Sequence, residues 1–137
     1  MGCDIHFHSE IKRSGKWEHY STNNIPRHYA LFSVMANVRN YPRTHQPISE
    51  PKGLPEDVSE LTKMCSDYFG VDGHSHSWLS AKEIVQLHKW MDDQGPMYSH
   101  DANFPYLCGS HFDAFLKYPE EFPDEIEDVR YVFWFDN

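Results

Sequence analysis

The chain has 137 residues, 12 basic against 21 acidic, a net charge of −9 and 15% aromatic residues. That length suits one domain spanning 1–137, and the aromatic content can supply a real core despite a polar average. The acidity argues against gripping a long nucleic acid, whose backbone is held by Lys and Arg. No stretch approaches the ~20 apolar residues of a membrane span. Met1 is followed by Gly2, Cys3 and Asp4 rather than an apolar stretch, so neither a secretory leader nor membrane attachment is expected. His6 stands where myristoylation wants Ser or Thr.

In chain order, Cys3 to Tyr20 reads as a β-hairpin. Ile5, Phe7 and Ile11 alternate with Asp4, His6, His8 and Glu10, and Ser14-Gly15 supplies the turn. A helix is predicted over 28–38 with the stripe Tyr29, Phe32, Met35 and Ala36. Residues 39–56 carry Pro42, Pro47, Pro51 and Pro55, which exclude a helix or an inner strand. That stretch reads as an ordered loop presenting Arg39, Asn40, Arg43 and Lys52 to a ligand, or as a plain connector.

A second helix is predicted from Pro55 to about Gly70, with Val58, Leu61, Cys65 and Tyr68 or Phe69 inward, so that Cys65 is a core thiol. The capping box Ser80-Ala-Lys-Glu83 opens a third helix whose inner face is Ile84, Leu87 and Met91, with His88 packed beside it. A short fourth helix is predicted over 110–117. Residues 129–135, Val-Arg-Tyr-Val-Phe-Trp-Phe, are apolar on both faces and read as a central strand. The expected fold is α+β: an antiparallel sheet, built from the N-terminal hairpin and the C-terminal strand, packed on one face with three to four helices.

Three cysteines, Cys3, Cys65 and Cys108, form no C-x-x-C pair; they point to a reducing compartment and cannot make a four-thiolate zinc site. Six carboxylates lie within 120–128, and removing them leaves a net of −3. That run reads as a solvated face or as an acidic surface that occupies a basic partner.

Ten histidines are the chemical signal. Asp4-Ile5-His6-Phe7-His8 puts three ligand-type side chains on one strand face, with i and i+2 about 6.5 Å apart. Asp72-Gly73-His74-Ser75-His76-Ser77-Trp78 repeats the H-x-H spacing in a stretch read as a loop. If the two elements meet, Asp4, His6, His74 and His76 are candidate ligands for a divalent ion, zinc or manganese, which would activate a water. His8, Asp72 and His111 are the candidate acid–base groups, and Arg39, Asn40, Arg43 and Trp78 the candidate ligand-binding groups. His100, next to Asp101, is a further candidate for the site. His8 as an exposed strand residue and His74 to His76 as turn decoration are the plainer alternatives.

Other site types are disfavoured. An H-x-H barrel hydrolase needs about 250 residues. A two-histidine phosphoesterase needs two H-x-[ST] elements, and only His19-Tyr20-Ser21 fits. No H-E-x-x-H, Walker A loop, G-x-G-x-x-G or G-x-S-x-G occurs. Nothing local pairs Cys3 or Cys108 with a histidine as a nucleophile.

Met-Gly-Cys-Asp-Ile-His6, Gly53-Leu-Pro-Glu-Asp57, Asp72-Gly-His-Ser-His-Ser-Trp78 and the closing Val-Phe-Trp-Phe-Asp-Asn137 resemble a family of small uncharacterised phage-encoded proteins. The resemblance implies a phage or prophage origin and an accessory role in the host bacterial cytoplasm; it carries no assigned reaction. Within that family position 8 need not be histidine, which puts the weight on Asp4 and His6. Accessory phage proteins of this size commonly counter host defence. By that analogy, the first expectation is a metal-dependent phosphodiesterase cleaving a nucleotide signal. The alternatives are a binding protein that sequesters such a nucleotide, and an acidic inhibitor that blocks a host defence protein. A homo-oligomer is compatible with each.

Overall fold

The computed structural model describes residues 2–23, 25, 27–41, 43–94 and 125–137. Strands β1 (Asp4–Arg13), β2 (Lys16–Asn23), β3 (Gly73–Ser80) and β4 (Asp128–Asp136) form one antiparallel sheet in the order β2-β1-β4-β3. Helices α1 (Tyr29–Ala36), α2 (Glu60–Phe69) and α3 (Ala81–Gln94) pack around it. The α+β expectation holds, with both chain-terminal strands as neighbours: Ile5 pairs with Phe135 and Phe7 with Phe133. The predicted helix over 110–117, Cys108, His100, Asp101, His111 and most of the acidic run lie outside the described residues.

The hairpin turns at Ser14 and Gly15, both at positive φ (50° and 75°), as a two-residue turn that follows the strand twist requires. β4 lies between β1 and β3, which explains a strand apolar on both faces. One sheet face carries Ile5, Phe7, Tyr131, Phe133 and Phe135. These form the main core with Leu31, Phe32 and Met35 of α1 and Ile84, Leu87 and Met91 of α3. Asn37, left-handed at φ 57°, ends α1 by donating its backbone N–H to Phe32 and Ser33.

The opposite sheet face is polar, and it is not left to solvent. Glu10 and Arg130 pair across β1 and β4 at 2.7 Å, 0% and 5% exposed. Arg130 also reaches Asp57 at 2.8 Å, and its guanidinium covers the Trp17 ring at 3.9 Å. The second Glu10 oxygen accepts from the backbone N–H of Ser59, the N-cap of α2. This network docks α2 on the polar face, so helices cover both faces rather than the one expected.

Two further expectations change. α2 begins at Glu60, because Ser59 caps it while 55–58 make a turn. Its predicted inner stripe is split: Val58, Cys65 and Phe69 are half-buried, Leu61 (50%) and Tyr68 (86%) are exposed, and the buried positions are Thr62 and Ser66. Thr62 and Ser66, small and polar, are buried on the side of α2 that meets the polar sheet face, and Phe69 covers its aromatic end. The Asp72–Trp78 loop is instead a one-turn 3-10 segment (Gly70–Asp72) leading into edge strand β3. A bulge between His74 and Ser77 breaks the pairing, with Ser75 at φ 54°. The capping box of α3 forms as read, with Ser80 and Glu83 exchanging bonds at 3.0 and 3.3 Å.

Candidate functional site

Strand alternation and the β1–β4 register put His6 opposite Trp134 on the polar face. Trp134 is the centre of a row of rings crossing the sheet. His8 stacks on it from β1 (centroids 5.0 Å apart, 16° between planes) and His76 from β3 (6.0 Å, 21°). His6 lies along the same strand edge, 6.0 Å from the indole. His19 of β2 extends the row beyond His8, its Nε2 3.1 Å from His8 Nδ1, and Thr22 Oγ1 joins both imidazoles at 2.9 and 3.1 Å. Phe69 of α2 roofs the row, 4.0 Å from His6 and 6.0 Å from Trp134.

Between this row and α2 lies a cavity of about 210 Å³, its wall including His6, His8, Thr22, Cys65, Phe69 and Trp134. No charged residue lines it among the described residues. Three imidazoles of the row, those of His8, His19 and His76, are shifted toward the neutral form. Burial, then the nearby His19 and His6, pushes the His8 imidazole down to about 4. Burial lowers His19 as well, and burial followed by His74 lowers His76. A neutral imidazole offers one donor and one acceptor, so this row is aromatic and hydrogen-bonding. The Trp134 ring is fully buried, and its indole N–H has no hydrogen-bond partner among the described residues.

The predicted ligands are placed differently from one another. His6 Nε2 is hydrogen-bonded to the Asp136 carboxylate. Asp4 is held by Arg27 at 2.6 Å, which keeps its carboxyl below the usual range. His74 faces the other side of the sheet, stacked on Phe135 and bonded to Asn137 at 2.8 Å, because the bulge separates its phase from that of His76. Among the described residues no group of three or more His, Cys, Asp or Glu is arranged to hold a metal ion. The zinc or manganese ligand set Asp4, His6, His74 and His76 is therefore not assembled in this arrangement.

Of the acid–base candidates, His8 belongs to the row, only 3% exposed, and Asp72 is exposed at the end of the 3-10 turn. The ligand-binding candidates sit away from the cavity wall. Arg39 lies over the Tyr29 ring at 5.2 Å, Arg43 pairs with Glu50 at 3.2 Å, and Trp78 is covered by the Lys52 ammonium at 3.9 Å. Asn40 is buried, donating to Asn37 and to the His45 carbonyl at 2.8 Å and accepting from His45 N–H. It braces the loop from within.

Sequence reasoning missed Trp134, Phe69, Cys65, Thr22, His19 and Asp136 as parts of one site. For Trp134 and Asp136 a signal existed: both alternate with Phe133 and Phe135 and so share the face of His6 once the terminal strands pair. Comparisons with protein-family models, curated proteins and solved structures return no match to this chain.

Proposed function

We propose that the protein binds a nucleotide at the cavity beneath α2 and holds it without turnover, as a phage accessory protein that withdraws a defence signal in the host bacterial cytoplasm. The supporting observation is the row His19–His8–Trp134–His76 roofed by Phe69. A row of flat, uncharged rings with adaptable donors and acceptors suits a heteroaromatic base, for which stacking contributes about 1–3 kcal/mol per base. Titrating a panel of cyclic and linear nucleotides calorimetrically tests the reading. One ligand per chain is the expected result, and no binding by any of them overturns it.

A second reading, a metal-dependent phosphodiesterase, draws on the carboxylate-backed His6. A histidine whose second nitrogen meets a carboxylate is the arrangement by which metal ligands are oriented. His6 backed by Asp136, beside the neutral His8 and His76, would be its starting point. Chelator-sensitive turnover is its test. An acidic surface that blocks a host protein would draw on residues 120–128, of which 125–128 are described.

A further inference from the structure

Seven large apolar side chains are exposed among the described residues, and four of them, Leu61, Met64, Tyr68 and Val71, fall between positions 61 and 71. The spacing i, i+3 and i+7 puts Leu61, Met64 and Tyr68 on one face of α2, and Val71 follows in the 3-10 turn. Thr62 and Ser66 are buried on the other side of the helix, so this stripe points outward. With Cys65 and Phe69 it forms an apolar groove of about 330 Å³ that borders the cavity under α2. Single exposed apolar residues are ordinary, but a contiguous stripe on one helix face marks an interaction site. Tyr68, braced edge-on by Phe69 with centroids 5.6 Å apart, is the kind of aromatic anchor on which interfaces concentrate their energy.

Charge decides between the possible occupants. Glu56 and Glu60 stand exposed before the stripe, and Asp72, also exposed, follows its last apolar residue. None of the three has an ion-pair partner among the described residues, whereas Lys63, the one base between positions 56 and 72, is paired with Asp67 at 2.9 Å. A second copy would bring two such sets of carboxylates together and set one chain of net charge −9 against another, so self-association is opposed. An anionic lipid surface is opposed for the same reason. A basic partner is favoured, because its cations meet carboxylates at both ends while its apolar side chains fill the groove. α2 has 10 residues and is about 15 Å long, so a partner helix of about three turns covers it. We infer that the outer face of α2 is a docking surface for a basic amphipathic helix of another protein. Its apolar positions, at i, i+3 or i+4 and i+7, lie in the groove, and its Lys or Arg side chains meet Glu56, Glu60 and Asp72. This surface is separate from the nucleotide reading and does not depend on it.

Two synthetic helical peptides with the same leucine stripe, one flanked by Lys and the other by Glu, are the probes. Each is titrated calorimetrically into the native protein, Met64→Glu and Tyr68→Ser, with thermal melts confirming that both variants fold. The expected result is one basic peptide per chain, bound about tenfold or more weaker by either variant, and less tightly by all three proteins as salt rises. The acidic peptide should bind the native protein about tenfold or more weaker than the basic one. Met64→Glu adds an anion, so attachment by charge alone would tighten in that variant, and a weakening reports the apolar face. Unchanged or tighter binding by Met64→Glu overturns the inference, as do two peptides bound alike or no binding of the basic one. Concentration-dependent dimerisation of the native protein that Met64→Glu abolishes also overturns it and assigns the face to a second copy. Co-sedimentation with phosphatidylcholine vesicles that Met64→Glu abolishes overturns it in favour of lipid.

Discussion

The His8 imidazole and the Trp134 indole lie nearly parallel across the β1–β4 pair, 5.0 Å apart, and the same imidazole shares its Nδ1 with His19 and Thr22. This geometry has a direct consequence for acid stability. The unfolded chain takes up a proton on His8 near its ordinary value of 6.5, whereas burial keeps the folded imidazole neutral down to about 4. Between those values the unfolded state binds more protons, so stability falls as pH drops from 6.5 toward 4 and is unaffected by this group above 6.5. The loss from His8 alone is on the order of 3 kcal/mol at the acid end. Urea unfolding at pH 7.5 and 4.5 should show it, and His8→Phe should flatten the dependence; an unchanged slope in that variant contradicts the assignment.

Glu10 is the pivot of the polar face, since its two oxygens serve Arg130 and the N-terminus of α2. Glu10→Ala leaves Arg130 buried with the exposed Asp57 as its only carboxylate partner among the described residues. Breaking one partner of a buried pair costs about 3–5 kcal/mol. Replacing both, Glu10→Leu with Arg130→Met, should recover most of that loss. Chemical denaturation of the three proteins measures the pattern, and a loss under about 1 kcal/mol for Glu10→Ala would contradict it.

The phase of α2 makes an opposite prediction for the large apolar residues on its exposed side. Met64→Glu and Tyr68→Ser should shift stability by no more than about 0.5 kcal/mol, as exposed substitutions do. Thr62→Leu, which enlarges a fully buried side chain against the sheet, should cost about 1–3 kcal/mol. Thermal melts separate the cases: a large loss in Met64→Glu with none in Thr62→Leu would mean that the helix is rotated.

His6 and His74 project to opposite faces, so alanine at either should leave metal content unchanged. Plasma emission on the purified protein should give zinc and manganese well below one per chain. Stoichiometric metal lost in His6→Ala would instead favour the phosphodiesterase reading.

Much of the fold was legible in the residues. Alternation from Ile5 to Ile11, interrupted at Ser9, Ser14-Gly15 as a turn and a closing strand apolar on both faces were enough to place β1, β2 and β4 together. The capping box located the start of α3. α2 was legible only in part: Cys65 and Phe69 face the sheet but Leu61 and Tyr68 face solvent, because the helix is phased by Glu10 holding its N-cap, a contact 49 residues away that no local pattern contains. β3 was misread because Asp-Gly and repeated His-Ser have turn chemistry and weak strand preference, and pairing with β4 overrides both. The histidines were recognised as a group, but the bulge at Ser75 divides them between faces, and their actual centre, Trp134, is named only by the register of the terminal strands.

The central claim, binding without turnover at the row of rings on the polar face, is tested most directly by incubating the protein with stoichiometric nucleotides, denaturing it and chromatographing what is released. The account predicts that the bound nucleotide is recovered intact at about one per chain, with or without chelator, and that His8→Ala or Phe69→Ala reduces the amount retained. Conversion of many equivalents to product, stopped by chelator, would contradict it.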